Sequence, residues 1–444
     1  MNQNRRQLLA AIGATGITAL AGCGGSGSSG TGTDTNGPGG GSISASLSEQ
    51  TAFLQHAEPR NRDGFGDSVA ISNDGSTALV GAHNNEDGGG NIAGSAYIFT
   101  RDDNTWEQQT MLTAEGISAN DRFGDAVGLT GDGTTAFVGA SGDLSDSRGG
   151  AVYVYELADD SWSLQEIITP DTEINWRAKF GQSLTVADDA NIALIGAYDA
   201  EAAFVFSESD GSWNQQAQLN PDDGSDGDQF GYSVTLTADG TTALIGARHD
   251  TEPNGDESGS TYAFTAHEGD WSQQAKLAAD DGDVDDRFGA AVSIDNTGSV
   301  ALIGASTDED SAGSEDSAYA GGGTAYVFTN SDGSWRQQTK FVVDELERVD
   351  NFGGAVELTS DGSTAYIGAP GYGATERAAG TVFVFSQTGS GWERQAELTA
   401  SEPQEGGLFA WSIAISGDDS TALFGAYEQD SEEVPATGAV YVFE

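Results

Sequence analysis

The sequence predicts an all-β fold, a seven-bladed β-propeller with four antiparallel strands per blade and the last blade closed by the N-terminal strand. Three observations predict it. A Phe recurs at Phe65, Phe123, Phe180, Phe230, Phe288, Phe352 and Phe409, a mean period of about 57 residues. Each Phe opens the same succession of four short strand-like segments. The seventh repeat stops after its third segment, and a candidate for the missing fourth lies ahead of the first repeat.

The elements follow in order. Strand A starts at the Phe and alternates, as in Ser68-Val69-Ala70-Ile71 and Ser233-Val234-Thr235-Leu236, the period of a half-buried strand. A turn follows, often Asp-Gly, as at Asp74-Gly75, Asp132-Gly133, Asp239-Gly240 and Asp361-Gly362; Asp-Gly between apolar runs signals a hairpin. Strand B ends in Gly-Ala, with the alanine at Ala82, Ala140, Ala197, Ala247, Ala305, Ala369 and Ala426. Strand C is aromatic, as in Ala96-Tyr97-Ile98-Phe99. Strand D begins at a Trp and reads Trp-x-x-Gln-x-x-Leu, as at 106–112, 213–219 and 271–277. No helix is expected. Four strands per unit with Gly and aromatic punctuation is the propeller signature. Residues 48–54 read as a strand D without its Trp, and Leu54 precedes Phe65 by 11 residues, as Leu112 precedes Phe123. They are expected to complete the seventh blade, whose strand C would otherwise be an open edge.

Spacing sorts the loops. The Phe of strand A lies 17 residues before the alanine ending strand B in all seven repeats. The link from strand B to strand C varies, spanning 17, 15, 9, 17, 23, 16 and 17 residues between fixed landmarks. In an up-and-down blade the A–B and C–D turns lie on one face of the disc, and the B–C and D–A loops on the other. The variation therefore falls on one face, where function is expected on a rigid scaffold. The longest loop, 306–323 in blade five, offers Asp308, Glu309, Asp310, Glu315, Asp316 and Tyr319 as a candidate ligand face.

Phe-Gly, Gly-Ala closing strand B and an aromatic strand C together resemble the FG-GAP repeat of integrin α-chain propellers, over residues 48–444. The likeness is closest to the haloarchaeal and bacterial variety with Asp-Arg-Phe-Gly, here Asp121-Arg122-Phe123-Gly124 and Asp286-Arg287-Phe288-Gly289. The resemblance implies the fold; propellers host many activities, so it implies no single one. The family's calcium loop, Asp-x-Asp-x-Asp-Gly-x-x-Asp between strands A and B, is replaced by Ser72-Asn73-Asp74-Gly75 and Thr237-Ala238-Asp239-Gly240. One or two carboxylates do not supply the six to eight oxygens calcium takes.

Charge narrows the partners. Among 444 residues, 70 are acidic and 17 basic, for a net charge of −53. Such a surface repels a phosphate backbone, so no nucleic-acid partner is expected. The acids are spread over the whole chain, as in a protein adapted to molar salt, where self-repulsion is screened. The D–A loops hold the densest runs. Asp223, Asp226 and Asp228, and Asp281, Asp283 and Asp285, alternate around Gly and are candidate Ca2+ ligands. The same runs also read as solvated acidic surface. No other cofactor is expected.

The N-terminus reads as an address. Arg5 and Arg6 precede a mildly apolar stretch too short to span a bilayer, in the manner of a twin-arginine export signal. Leu20-Ala21-Gly22-Cys23 resembles a lipobox, which implies cleavage after residue 22 and a lipid on Cys23, the sole cysteine. Residues 23–47 are a Gly/Ser-rich tether. The expected organisation is therefore a signal peptide at 1–22, a tether at 23–47 and a propeller at 48–444. The expected location is the outer face of the cytoplasmic membrane, held there through the lipid alone. Four histidines, His56, His83, His249 and His267, share no spacing, and no nucleophile elbow or phosphate loop occurs. The sequence thus points to a non-catalytic monomer acting as a binding or adhesion module, with an extracellular protein or glycan as partner. A carbohydrate-active hydrolase or lyase and a structural part of a surface assembly are the alternatives.

Overall fold

The computed structural model describes residues 47–444, except 86–92, 104, 143–148, 176, 188–190, 309–321, 347–348, 374–375 and 432–433. They form seven four-stranded antiparallel sheets. Six are continuous in sequence, at 65–112, 123–168, 184–219, 230–277, 288–341 and 356–398. The seventh joins the two ends of the propeller: Gln50–Leu54, Ala439–Phe443, Ala422–Ala426 and Ser412–Ile415 lie side by side in that order. Leu54 pairs with Val440 and Phe53 with Tyr441. The predicted composite blade is present, and the compact unit begins at Leu47.

The core lies between blades. Each of seven apolar clusters is shared by two neighbouring sheets. Leu79, Ile98 and Leu112 of blade one pack on Phe123, Val138 and Tyr153 of blade two. Leu54, Leu423 and Val442 of blade seven pack on Phe65, Val80 and Phe99 of blade one. The recurring Phe anchors each junction. Phe230 is fully buried, edge-on to Tyr262 at 5.4 Å and Phe264 at 6.0 Å, and the same geometry recurs at Phe288 with Tyr326 and Phe328. Edge-to-face pairs of this kind add about 1 kcal/mol beyond the area they bury.

The Gly of each Gly-Ala has a steric reason. The carbonyl of the next blade's Phe-Gly runs against it, so that a Cβ on Gly246 would lie 2.1 Å from the Gly289 oxygen. Ser233 Oγ donates to that same oxygen at 2.8 Å, as Ser183 does to Gly231.

Strand D latches the blades on the outside. Gln108, Gln215, Gln273 and Gln337 accept the N–H groups of Ala57, Asp171, Asp222 and Asp280, each in the link ahead of its own blade. Gln50 accepts from Ser401 at 2.8 Å in the same way, so the N-terminal strand does the work of a strand D. The tryptophans pack between sheets, Trp162 Nε1 donating to Gln109 of the blade before at 2.9 Å.

Two details differ from the sequence reading. In blades three, six and seven, strand A forms its ladder only at Leu184–Val186, Val356–Leu358 and Ser412–Ile415, past the Phe. Elsewhere strand A starts at the Phe but slips register just after it, as between Phe65 and Val69. A single 3-10 turn, Tyr198–Ala200, also occurs among the described residues. It lies in the shortest B–C link, where the chain must reverse at once.

The A–B turns are closed by their own side chains. Asp239 accepts the hydroxyls of Thr237 and Thr241 and the N–H of Thr241. Burial raises its pKa, but these donors outweigh burial and hold the carboxyl below its ordinary 3.8. Asp132, Asp361 and Asp418 follow the same balance, and at Asp74 the bond from Ser76 is the largest influence. A depressed folded-state pKa stabilises the fold above the ordinary value, and that stability is lost as pH falls through the lower one. Because Asp239 is exposed and its interactions are screened by solvent, Asp239→Ala is expected to cost no more than about 0.5–1 kcal/mol at pH 7. The deficit should shrink below pH 4 in a series of melting curves.

Candidate functional site

The innermost strands of all seven blades line a central channel, with a cavity of about 280 Å3 toward the A–B turns. That mouth is tied by bonds between blades: Asn73 N–H donates to Gly131 O, Asn296 N–H to Ser360 O, and Ser360 N–H to Asp419 Oδ1. Burial pushes the Asp419 carboxyl up, against the pull of the Ser360 bonds.

The opposite mouth, on the face of the B–C and D–A loops, is built from two positions per blade. One follows Phe-Gly and reads Asp67, Asp125, Gln182, Tyr232, Ala290, Gly354 and, after Phe409-Ala410, Trp411. The other follows Gly-Ala and reads His83, Ser141, Tyr198, Arg248, Ser306, Pro370 and Tyr427. Each hairpin starts strand A and ends strand B at this rim, so the two positions meet there. Trp411 and Tyr427 of blade seven lie 4.7 Å apart, and Trp411 is 38% exposed although most large apolar side chains are buried. Burial first, then the charges of Glu428 and Asp67, push the Tyr427 hydroxyl up to about 12. His83 Nδ1 lies 2.8 Å from Asp67 Oδ2 in blade one. In blade two Asp125 takes Arg122, and Ser141 Oγ donates to it. Tyr198 faces Tyr232 at 5.7 Å, and the Arg248 guanidinium sits 3.6 Å over the Tyr232 ring. Burial lowers the Arg248 pKa despite that ring. An arc of aromatic rings and opposed charges thus runs from blade seven through blade four, with an acidic centre and an aromatic patch at each end. Such a surface offers stacking, cation–π and ion-pair contacts.

The residues picked from the sequence fall elsewhere. Asp308 is buried and accepts the Tyr326 hydroxyl at 2.6 Å, so it anchors the base of its loop. Glu309, Asp310, Glu315, Asp316 and Tyr319 lie outside the described residues, as do Arg5, Arg6 and Cys23. In the first acidic loop Asp223 holds Lys276 at 2.8 Å and accepts from Tyr262 at 3.0 Å. Asp228 is buried and caps the Ser225 N–H of its own turn at 2.6 Å. Asp226 is exposed. In the second loop Asp281 holds Lys340, Asp283 accepts the Val284 N–H and Asp285 is half-buried. The structure therefore gives Asp223, Asp228, Asp281 and Asp283 separate partners and does not gather the six into one group. Among the described residues the one metal-spaced group is Asp67, His83 and Asp125. Sequence reading passed over it. Its signal was the column of residues just after Phe-Gly and Gly-Ala, which holds two adjacent Asp and a His.

The FG-GAP repeat family model matches residues 49–99, 106–155, 213–264, 271–328 and 392–443, more than half of the chain. Among solved structures, the chain is similar to the hydrazine synthase of Kuenenia stuttgartiensis, at 12% identity and a TM-score of 0.56, over 84% of this chain and 96% of that one. That likeness is one of fold alone. No curated protein matches the chain.

Proposed function

The chain belongs to the FG-GAP repeat family, and from that premise we propose that it is a non-catalytic binding module for another protein, with the B–C/D–A mouth of the channel as its contact surface. The observation that carries the reading is the contrast between positions. The junction residues repeat blade after blade, whereas the two rim columns hold Trp411, Tyr427, Tyr198, Tyr232 and Arg248 in place of any repeat. Aromatic and Arg anchors of this kind dominate protein–protein hot spots. The twin arginine, the lipobox-like run ending at Cys23 and the acidic surface support a monomer displayed outside the cell on a lipid tether, in salty surroundings. In this reading the uniform A–B side is scaffold. The test is capture of partners from membrane extracts in molar KCl, with the wild-type chain and Trp411→Ala/Tyr427→Ala as baits. The wild type is expected to retain a partner that the variant releases, with a loss of tenfold or more in affinity. Equal retention by both baits would refute the assignment of the mouth.

A further inference from the structure

We infer that Asp67, His83 and Asp125 form a binding site for one divalent transition-metal ion of the Zn2+ class, at the junction of blades one and two. The inference goes beyond the binding reading and does not depend on it. Three observations carry it. First, one carboxylate oxygen from each Asp and one imidazole nitrogen lie within 4.8 Å of one another. Second, His83 is nine-tenths buried, and its Nδ1 is enclosed without a hydrogen-bond partner. That nitrogen is nevertheless 2.8 Å from Asp67 Oδ2. A nitrogen and an oxygen that close, and not aligned for a hydrogen bond, need part by only a few tenths of an ångström to reach the roughly 3.0–3.4 Å between two adjacent ligands each about 2.1 Å from a shared ion. Third, the Asp125 carboxylate is already oriented. Arg122 Nε reaches both its oxygens at 3.1 Å, and Ser141 Oγ donates to Oδ2. Partners of this kind fix a ligand's direction around a metal.

The donor set selects the ion. One imidazole with two carboxylates suits Zn2+, Mn2+ or Fe2+, whereas Ca2+ takes six to eight oxygens and has no use for a buried imidazole. Three protein ligands leave a position open at the channel mouth, where water or an incoming carboxylate would complete the shell. The other histidines give no such group. His56 Nε2 and His249 Nε2 are enclosed in the same way, but each faces one carboxylate, Asp63 at 3.0 Å and Glu257 at 3.7 Å, the latter beside Arg248, with no second one to complete a site.

The test uses Zn2+ alone as the probe. The full chain is dialysed to equilibrium against Zn2+ in molar KCl with a hundredfold excess of Ca2+, which occupies the many bare carboxylates. About one tightly held Zn2+ per chain is expected. His83→Ala and Asp67→Asn should each abolish that uptake, and Ser141→Ala should weaken it about tenfold. Circular dichroism checks that each variant keeps its β spectrum. A variant that does not fold is replaced by Co2+ titration of the wild type, where an imidazole-bound ion gives a visible band distinct from that of hydrated Co2+. Uptake equal in wild type and folded His83→Ala, displacement of Zn2+ by Ca2+, or a Co2+ spectrum unchanged from the hydrated ion would overturn the site.

Discussion

A chain lacking residues 47–54 is expected to lose most of the propeller's cooperative stability, with its melting transition lowered by more than 10 °C or abolished. Leu54 is buried in the cluster between blades seven and one, and Leu47 in the cluster between blades six and seven. Two buried leucines contribute roughly 2–3 kcal/mol each. The segment also makes a ladder with Ala439–Phe443, a ring contact between Phe53 and Tyr441 at 5.1 Å, and the Gln50 latch to Ser401. At about 1 kcal/mol for each net hydrogen bond, the total approaches 8 kcal/mol, comparable with the whole stability of an ordinary domain. The deletion also bares strand C of blade seven as an edge. Thermal melts in molar KCl, read with light scattering, should show early unfolding together with self-association. A deletion that melts like the wild type would mean that the ring closes without this strand.

Gly246→Ala carries the second large effect. Its Cβ would meet the Gly289 carbonyl at 2.1 Å and Ser233 Oγ at 2.3 Å. The first of these is backbone, fixed by the Ser233 bond and by the Phe288 anchor behind it. No rotamer change relieves such a contact, so the blades must part. Overpacking costs typically 1–3 kcal/mol where side chains can yield; with backbone on both sides about 3 kcal/mol or more is expected. Gly389→Ala, which meets nothing within 4 Å, is the control and should stay within about 0.5 kcal/mol. Denaturant midpoints in molar KCl separate the two. Equal midpoints would remove the steric account of Gly-Ala.

These two positions also show why the fold was legible. Phe230 and Gly246 each serve a junction made seven times, so each need is written seven times at a fixed spacing, and the Gln273 position is Gln in five blades, with Leu164 and Arg394 in the other two. The N-terminal strand could be found because its distance to Phe65 matched the other D–A links. The shortened strand A of blades three, six and seven was not legible, because pairing there depends on a register slip that leaves the sequence pattern intact. The site was harder still. Asp67, His83 and Asp125 are separated by 16 and 42 residues, and only the stacking of blade one on blade two joins them. Read along the chain, His83 has no companion of matching spacing; read down the column after each motif, it stands beside two aspartates. The acidic loops are ambiguous in one dimension for a related reason. Asp228 and Asp286 look like surplus charge, yet each is a buried acceptor for a turn N–H three residues earlier. Asp63 and Asp121 repeat the device. An acid used to close a turn and an acid left for a ligand read the same in one dimension.

The claim that one mouth of the channel is the working surface is tested most directly by amide hydrogen exchange on the chain with and without its captured partner, in molar KCl. Protection confined to the B–C and D–A loops and the rim around Tyr198, Tyr232, Trp411 and Tyr427 is the predicted result. Protection centred on the A–B turns around Asn73, Asn296 and Asp419, with the opposite rim unchanged, would contradict it.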